Sequence, residues 1–565
     1  MLLIAISSVF CWPVAAQEPT QSPLYQHGAV AADHPLASQA GVDVLQRGGN
    51  VIDAAVATAL TLSVVRPASS GLGGGGFLVH WDAARKESVA WDYRETAPLA
   101  ATADMYEQAA VAGRKNASEH GGLAVAVPGH VPGLCHILET QGTFTIQQVL
   151  ETVLKLTRDG VPVDAVDLRT QRELLAEFTK QPELKPTYAA LWTGYLNTGV
   201  PWKTGDRFHS PQLAALAALS RDGVASFRTG VVAQSLLETC RSQGGIVTAA
   251  DFAAVQPIRR TPLRITWGEY EVLTMPPPSS GGIALVQTLQ ALEAWSRLPN
   301  HRPWRDLNEL DRSHVLAEAL KHAFADRAEF LGDADFVTVP VAKLTSAKYA
   351  QRIAERIDLT RTLPAAEYGR FHLPDDAGTT HFCVMDSRGN AVSCTETINL
   401  TYGSYVVDPQ FGIVLNNEMD DFTARPGVPN AFGLIQSANN VIAPRKKPLS
   451  SMAPTIVLKD GRPVLLAGAS GGPRIITATI QTVLRVTELG LSANDAVTQP
   501  RLHHQWQPHE LLIERSLEPL RGPLEARGHQ VKLLGSSAVT QAIRWTPAGI
   551  EPASDPRKHG RPTGY

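Results

Sequence analysis

The chain has 565 residues, of which 44% are hydrophobic and 19% charged, a composition typical of a folded globular protein and not of a disordered one. With 51 Lys and Arg against 54 Asp and Glu, the formal net charge is −3. This balance gives no reason to expect nucleic acid or an anionic membrane surface as a partner. No apolar run reaches the roughly 18 residues that a membrane-spanning helix needs.

Residues 1–16 carry no charge and end in Val14-Ala15-Ala16, a small-residue pattern typical of signal-peptide cleavage. We therefore predict a signal peptide over 1–16 and an exported, periplasmic or secreted protein. The usual Lys or Arg at the start is missing, so an apolar start without an export role stays open. Four cysteines remain beyond residue 16 and none forms a CxxC pair, which predicts neither a disulfide scaffold nor a zinc ribbon.

The first strong signals along the chain are helical. Apolar residues recur at helical spacing from Leu36 until Gly48-Gly49, and a second apolar helix is predicted from Val51 to about Val65. The glycine-rich segment 70–77 follows and leads into alternating strand residues. Its GxGxxG spacing would suit a dinucleotide, but that site needs a strand before the glycines and a helix after them. Here the order is reversed, so we predict a tight structural turn.

A long amphipathic helix is predicted over 307–330, and strands dominate beyond residue 360. We predict two strands around 388–390, a hairpin turning at 460–461, and a helix over 474–489. A two-residue loop in the first hairpin would place Cys383 opposite Cys394. Both a cross-strand disulfide and a pair of reduced core thiols are compatible with that placement.

The segment GASGG, residues 468–472, matches GxSxG between a predicted strand and a predicted helix. This context is that of a nucleophile elbow, with Ser470 as nucleophile and Asp495 and His503 or His504 as partners. Alternatively, the glycines present backbone N–H groups to an anion without any nucleophile.

Two further clusters of polar residues have open interpretations. The histidines at 503, 504 and 509 lack a carboxylate at a suitable spacing, so we predict no metal there. Glu418 lies beside Asp420 and Asp421. That acidic cluster suits calcium, a solvated turn, or a pocket for a substrate ammonium group.

The tetrapeptide GTTH, residues 378–381, lies where a loop enters a strand. If the Gly378–Thr379 bond were cut, Thr379 would own a free α-amine, whose unperturbed pKa is about 7.7–8.0. A useful fraction of that amine is neutral at physiological pH. One residue would then supply both a hydroxyl nucleophile and its general base.

These segments together resemble the gamma-glutamyltransferase (gamma-glutamyl transpeptidase, glutathione hydrolase) family of N-terminal-nucleophile hydrolases. The resemblance runs from about Gly28 to Tyr565. The segments that carry it are, in chain order, GVDVLQRGGNVIDAAVA, SGLGGGGF, DYRETAP, AVPGHVPGL, MPPPSSGG, GTTH, LNNEMDDF, KPLSSMAPT, SGGPRI, PRLHHQW and the terminal SDPR and GY.

The resemblance implies an α+β fold, a four-layer αββα sandwich of the N-terminal-nucleophile type. It also implies a precursor that cuts itself before Thr379, giving a large chain of residues 17–378 and a small chain of residues 379–565. The two chains would form one heterodimer around a shared core. No metal or organic cofactor would be needed.

The resemblance further implies a role for each site residue. Thr379 is expected to attack γ-glutamyl donors, glutathione above all, and to pass the acyl group to water or to an amino acid or peptide. Thr397 would orient Thr379, and the N–H groups of Gly471 and Gly472 would form the oxyanion hole. The remaining expectations concern the donor's head group: Arg94, Ser450 and Ser451 for its α-carboxylate, and Asn399, Glu418 and Asp421 for its α-ammonium.

The sequence departs from the family pattern at two positions. Glu418 stands where some bacterial members carry glutamine, and Phe432 where members with a lid loop carry tyrosine; the lid would span about Pro426 to Lys447. Three rival hypotheses remain: an acylase of the same fold acting on glutaryl or other amides, a serine hydrolase using Ser470, and an unprocessed binding protein.

Overall fold

The computed structural model describes residues 23–369, 378–423 and 437–565. The predicted signal peptide, most of the loop before Gly378, and the part of the predicted lid that contains Phe432 lie outside these residues. Within them, no helix is both long and apolar enough to cross a bilayer.

The strands, in chain order, are β1 (Gly28–Ala32), β2 (Gly75–Asp82), β3 (Glu87–Asp92), β4 (Val161–Pro162), β5 (Arg207–Phe208), β6 (Ile258–Arg260), β7 (Leu263–Trp267), β8 (Tyr270–Thr274), β9 (Thr380–Asp386), β10 (Ala391–Thr397), β11 (Thr455–Lys459), β12 (Arg462–Ser470), β13 (Leu502–His503), β14 (Leu511–Glu514), β15 (Val531–Leu534), β16 (Val539–Thr546), β17 (Gly549–Ser554) and β18 (Thr563–Gly564).

The α-helices are α1 (Pro35–Gln46), α2 (Val51–Val65), α3 (Met105–Val111), α4 (His130–Gln141), α5 (Ile146–Asp159), α6 (Ala165–Lys180), α7 (Leu184–Thr187), α8 (Ala189–Gly194), α9 (Leu213–Asp222), α10 (Ala225–Arg228), α11 (Val231–Ser242), α12 (Ala249–Ala254), α13 (Ser280–Ser296), α14 (Glu309–Phe330), α15 (Val341–Leu344), α16 (Ala347–Ala354), α17 (Arg474–Thr487), α18 (Ala493–Thr498) and α19 (Arg521–Ala526).

Two large sheets lie face to face at the centre of the molecule. One has the strand order β18-β1-β9-β10-β2-β3-β6 and the other β17-β16-β12-β11-β8-β7. An apolar core that includes Phe77, Met385 and Ile456 fills the space between them. Helices α1, α2, α4 and α5 cover the outer face of the first sheet, and α13, α14 and α17 cover that of the second. The αββα sandwich expected from the resemblance is therefore confirmed.

Helix α2 shows why the sequence folds this way locally. Asn50 and Asp53 form a capping box at its start, which satisfies the otherwise unpaired N–H groups of the first turn. All residues from 51 to 65 are buried, because the helix packs between α1, α5 and the first sheet. This explains the continuous apolar run in the sequence, since a helix with neighbours on every side has no polar face.

Two predicted helices begin or end a little differently in the structure. Helix α14 starts at Glu309 and not at Leu307, because the Asn308 side chain caps it by accepting a hydrogen bond from the Asp311 N–H at 2.9 Å. Helix α17 ends at Thr487 and not at Leu489; Gly490, with a φ of +66°, follows shortly after.

The hairpin of β9 and β10 differs from the prediction in its turn. Met385 pairs with Ala391, so five residues, and not two, separate the last pair of this ladder. Asp386 builds this turn by accepting hydrogen bonds from the backbone and side chain of Asn390. The register consequently pairs Cys383 with Ser393. Cys394 lies in the helix-facing core and Cys383 in the core between the sheets, so the predicted opposition of the two cysteines is wrong and both are free thiols.

Candidate active site

Thr379 and Thr397 lie opposite each other at the open end of the β9–β10 hairpin. The ladder pairs Thr380 with Glu396, and one further step places Thr379 beside Thr397. Because side chains of paired residues project from the same face of a sheet, both hydroxyls point into the space between the two sheets. Their oxygens are 3.3 Å apart.

The carbonyl of Gly378 lies between these two hydroxyls. Thr379 Oγ1 donates to the Gly378 oxygen at 2.6 Å and Thr397 Oγ1 donates to it at 2.9 Å. The Asn399 N–H in turn donates to Thr397 Oγ1 at 2.8 Å, which fixes the orientation of that hydroxyl. The bond before Thr379 is therefore held against the hydroxyl that would attack it.

Only a glycine fits at position 378. Its φ is +125°, a region that favours glycine. A Cβ built on it would lie 2.3 Å from the backbone oxygen of Asn399. The glycine of the GTTH segment is thus required by close approach of two backbones.

Nine of the ten predicted site residues line one cavity. The tenth, Gly471, precedes Gly472 in the chain but does not line it. The lining residues are Arg94, Thr379, Thr397, Asn399, Glu418, Asp421, Ser450, Ser451, Met452, Gly472, Pro473 and Ile475.

Arg94 forms a buried ion-pair cluster with the two acidic residues of this cavity. Its Nη1 donates to Glu418 Oε1 at 2.6 Å and its Nη2 to Asp421 Oδ2 at 2.5 Å. Nε donates to the Pro448 carbonyl at 2.8 Å. Arg94 and the acidic residues were expected to bind opposite charges of a substrate, whereas in the structure they pair with each other.

Burial and mutual repulsion set the protonation of this cluster. Burial, reinforced by the nearby Asp421, raises the pKa of Glu418 to about 8 although Arg94 opposes the shift. Burial also raises the pKa of Asp421. For Arg94, burial works toward a lower pKa, but the carboxylates of Glu418 and Asp421 outweigh it and raise the pKa above its ordinary value. Both carboxyl groups therefore share the Arg94 guanidinium, and burial together with the neighbouring Asp421 disfavours ionisation of Glu418.

The turn between β12 and α17 carries the predicted oxyanion hole. Gly471 and Gly472 have φ values of +126° and +47°. Their carbonyls accept hydrogen bonds from the Arg474 and Ile475 N–H groups of the first turn of α17. Among the residues that the structure describes, no acceptor takes the N–H of either glycine. Two backbone donors are thus free at the start of a helix, where negative charge is stabilised.

Three other predicted residues, Asn399, Ser450 and Ser451, line the cavity. Asn399 Nδ2 donates to the Asn417 carbonyl at 3.0 Å. Ser450 Oγ accepts from the Met452 N–H at 3.1 Å, and the Ser450 carbonyl accepts from the N–H and the hydroxyl of Ser280. Ser451 is buried. These contacts fix polar groups around the Arg94 cluster.

A family model described as gamma-glutamyltranspeptidase matches residues 37–565. The chain belongs to the gamma-glutamyltranspeptidase family. It is 39% identical to the glutathione hydrolase proenzyme of Escherichia coli, with 98% of this chain and 97% of that protein covered. It is 37% identical to the glutathione hydrolase proenzyme of Pseudomonas aeruginosa, with 94% of each covered. The family identified from the sequence is thereby confirmed.

Solved structures agree with this assignment. The gamma-glutamyltranspeptidase of Helicobacter pylori is 34% identical and covers 62% of this chain and 96% of its own, with a TM-score of 0.53. A cephalosporin acylase from Bacillus halodurans covers 99% of each chain with a TM-score of 0.84 at 23% identity, a likeness that establishes the shared fold.

The rival serine site is not assembled in this family member. His503 uses both ring nitrogens for Thr477 and Gln505, and Asp495 accepts from Ser492 at the start of α18. Neither contacts Ser470 in these bonds. His504 Nδ1 accepts from the Trp506 N–H. The GxSxG context is therefore that of a strand-to-helix turn in which Gly472, and not Ser470, lines the cavity.

One group of metal-ligand types lies elsewhere, where His314, Glu318 and His529 bring ligand atoms within 4.8 Å of one another. These atoms are already engaged. His314 Nδ1 and His529 Nε2 share a hydrogen bond of 2.8 Å, and the Lys321 ammonium donates to Glu318 at 2.6 Å. A buried ammonium beside the carboxylate opposes a cation there.

Lys558 is a residue near Thr379 that was not predicted from the sequence. Its Nζ donates to the Thr379 carbonyl at 2.7 Å and to Asp33 Oδ2 at 2.8 Å. Lys558 follows the SDPR segment near the C-terminus, and that segment was used only to identify the family. A lysine that is 9% exposed is unusual unless it is paired, but burial at this position has no local signal in the sequence.

Proposed function

We propose that this chain is the precursor of a self-cleaving gamma-glutamyltransferase and glutathione hydrolase whose nucleophile is Thr379. The observation that carries the proposal is the placement of the Thr379 and Thr397 hydroxyls around the Gly378 carbonyl, in a cavity shared with Arg94, Glu418 and Asp421. The word proenzyme in the names of the E. coli and P. aeruginosa relatives supports it.

The first reaction is cleavage of the chain itself. Thr379 Oγ1 attacks the carbonyl carbon of Gly378, the C–N bond to Thr379 breaks, and the proton of the hydroxyl goes to the leaving amine. Water then hydrolyses the resulting ester between Gly378 and Thr379. The products are a large chain of residues 17–378 and a small chain of residues 379–565. The H. pylori chain spans 62% of this one, close to the share that this cut leaves in the large chain.

The two products stay together after the cut. Strand β1 of the large chain pairs with β9 on one side and β18 on the other, and both of these belong to the small chain. Every residue of β1 is buried. Hydrogen bonds and apolar contacts across this junction would hold the heterodimer.

The second reaction transfers a γ-glutamyl group. The freed amine takes the proton of Thr379 Oγ1 as the oxygen attacks the γ-carbonyl of the donor. The oxyanion that forms is stabilised by the N–H groups of Gly471 and Gly472, where loss of one such donor typically costs roughly 2.7–4 kcal/mol of barrier. The donor amine leaves with the proton. Water or an acceptor amine then attacks the ester and regenerates Thr379.

The charged groups of the donor's head group bind by replacing ion pairs within the Arg94 cluster. The α-ammonium replaces part of the Arg94 guanidinium as partner of Asp421 and Glu418, with Asn399 beside them. The guanidinium thus freed receives the α-carboxylate, which Ser450 and Ser451 also bond. A zwitterion fits because it brings one charge of each sign. Glutathione and other γ-glutamyl compounds carry this head group, and amino acids or peptides would serve as acceptors.

Two assays with matched substrates test this function. γ-Glutamyl-p-nitroanilide and glutaryl-p-nitroanilide differ only in the α-amino group. We expect the purified protein to show two chains, with Thr379 as the first residue of the small chain by mass spectrometry. We also expect a preference for the γ-glutamyl substrate. Asp421→Asn should reduce that preference at least tenfold, because a hydrogen bond to a charged group contributes roughly 1.5–3 kcal/mol.

Each rival hypothesis has its own outcome in these assays. A preference for the glutaryl substrate that survives Asp421→Asn would identify an acylase. Loss of activity in Ser470→Ala with unchanged chain cleavage would identify a serine hydrolase, and one uncut inactive chain would indicate a binding protein. Thr379→Ser serves as the control for Thr379→Ala, because serine keeps the hydroxyl. We further propose export of the protein, to be tested by the N-terminus of the large chain in the secreted or periplasmic fraction.

A further inference from the structure

Within the part of the chain that the structure describes, the ammonium of Lys558 directly contacts the backbone of Thr379. It lies in a buried chain of polar contacts that begins in β16, where Gln541 Nε2 donates to Asp33 Oδ1 at 2.6 Å. Asp33 Oδ2 accepts from Lys558 Nζ at 2.8 Å, and Nζ also donates to the Thr379 carbonyl at 2.7 Å. Asp33 is fully buried, so both the ion pair and its orientation are fixed.

We propose that Lys558 is a positioning residue for the nucleophile, which anchors Thr379 through its carbonyl and keeps the freed α-amine in its neutral, proton-accepting form. This inference rests on the proposed function, because it requires Thr379 to become the first residue of the small chain.

The anchoring part follows from what cleavage removes. Before the cut, Thr379 is held covalently by Gly378 on one side and by β9 on the other. After the cut, the Gly378 side is gone and the residue is a chain terminus, which frays unless something ties it down. A hydrogen bond from Lys558 to the Thr379 carbonyl lies three covalent bonds from the α-amine and limits rotation of the residue that carries both reacting groups.

The electrostatic part follows from distance. Nζ is 2.7 Å from the Thr379 oxygen, and standard backbone dimensions then place it within about 6 Å of the Thr379 nitrogen. A fixed positive charge at that distance disfavours a second positive charge on the amine. Asp33 weakens this effect, but the ammonium is the charge that bonds the Thr379 carbonyl directly, whereas Asp33 bonds the ammonium.

Other charged groups around the pair do not reverse the sign. Burial lowers the pKa of Lys558, with Asp33 opposing the shift and Arg66 adding to it. The cavity in front of Thr379 contributes one guanidinium and two carboxyl groups, which pair with each other. The charged groups that face Lys558 or Thr379 from the surrounding elements are Asp33, Arg66, Arg169, Arg94, Glu418 and Asp421.

Three variants test the inference through the acidic limb of the pH profile of kcat/KM, which reports the free enzyme's essential base. Lys558→Met removes the charge, Lys558→Arg keeps it, and Asp33→Asn removes the counter-charge. We expect the limb to move up by about one pH unit in Lys558→Met, toward the ordinary range of an α-amine. It should stay in place in Lys558→Arg and move down in Asp33→Asn. Near neutral pH, kcat of Lys558→Met should fall about tenfold with little change in KM.

Glu418 is unchanged in all three variants, so its own titration is common to every profile and cancels in the comparison. A limb that stays in place in Lys558→Met, or a loss confined to KM, would overturn the inference. If Lys558→Met remains one uncut chain, the comparison of Asp33→Asn with Lys558→Arg decides, and coinciding limbs overturn it. Mass spectrometry of the small chain distinguishes failure of this inference from failure of the proposed function, because a first residue other than Thr379 refutes the proposed function itself.

Discussion

Thr379 and Thr397 face each other across the open end of a hairpin, with hydroxyl oxygens 3.3 Å apart and both bonded to the carbonyl of Gly378. The strand register alone produces this pairing, because the two residues are the next step of a ladder that already pairs Thr380 with Glu396. The sheet thus supplies the nucleophile, its orienting hydroxyl and the target carbonyl from one local structure.

We predict that Thr397→Ala slows cleavage of the precursor by about tenfold to a hundredfold, because it removes a donor to the Gly378 carbonyl and the acceptor for the Asn399 N–H, and each lost hydrogen bond is worth about 0.5–1.5 kcal/mol. Thr397→Ser keeps the hydroxyl and should cut at a rate near that of the wild type. A gel time course after synthesis measures both rates. Equal rates in the alanine and serine variants would contradict this role for the hydroxyl.

The structure makes a second prediction at the residue before the nucleophile. Gly378→Ala places a Cβ 2.3 Å from the Asn399 oxygen at a φ of +125°, so the carbonyl must move away from the Thr379 hydroxyl. We expect the variant to fold and to remain largely uncut. Gly522→Ala is the matched control, since a Cβ there meets nothing within 4 Å. Normal cleavage of Gly378→Ala would mean that the backbone can relax at no cost.

Through the family resemblance, the sequence predicted the layers of the fold and ten site residues, nine of which the structure brings to one cavity. It did not predict how the charged residues among them pair. Helical and strand periodicities predicted α1, α2 and the hairpins, because burial on one or both faces sets those patterns. The turn between β9 and β10 was missed because the side chain of Asp386 builds it. The alternation of apolar and polar residues predicts strands, but it does not show which side chain forms the hydrogen bonds of the turn between them.

The contacts of Arg94 and Lys558 could not be predicted from the sequence for a related reason. Arg94 is separated by more than 300 residues from Glu418 and Asp421, and Lys558 by 179 residues from Thr379. No local period or motif records which charged groups meet in the core. The family resemblance supplied roles for Arg94, Glu418 and Asp421, yet the direct ion pairing between them required the tertiary structure.

Arg94 is expected to be as important for stability as for binding. Arg94→Met removes the guanidinium that pairs with the buried carboxyls of Glu418 and Asp421, and breaking such a pair typically costs about 3–5 kcal/mol. Urea unfolding in a Thr379→Ala background, where the chain stays in one piece, measures the change. Arg85→Met is the control, because Arg85 is 74% exposed and 3.8 Å from Asp82, so its loss should cost under about 1 kcal/mol. A similar decrease in the free energy of unfolding in both variants would show that the buried cluster contributes no more to stability than an exposed ion pair.

Glu418 gives a prediction about pH. Burial raises the pKa of this carboxyl to about 8, so it is mostly protonated and neutral at pH 7 and becomes an anion as the pH rises through about 8. An anion binds the donor's α-ammonium better than a neutral acid does, so KM for γ-glutamyl-p-nitroanilide should fall as the pH increases across that range.

The variant Glu418→Gln isolates this effect. Glutamine keeps an oxygen that can accept from Arg94 Nη1, which Glu418 does at 2.6 Å, but it does not ionise. We expect the KM of Glu418→Gln to resemble that of the wild type near pH 7 and to stay flat where the wild-type KM falls. The α-ammonium of the donor is common to both measurements, so its own titration affects both curves alike. A fall in KM of the same size in both proteins would assign the pH dependence to another group and leave Glu418 as a hydrogen-bonding residue only.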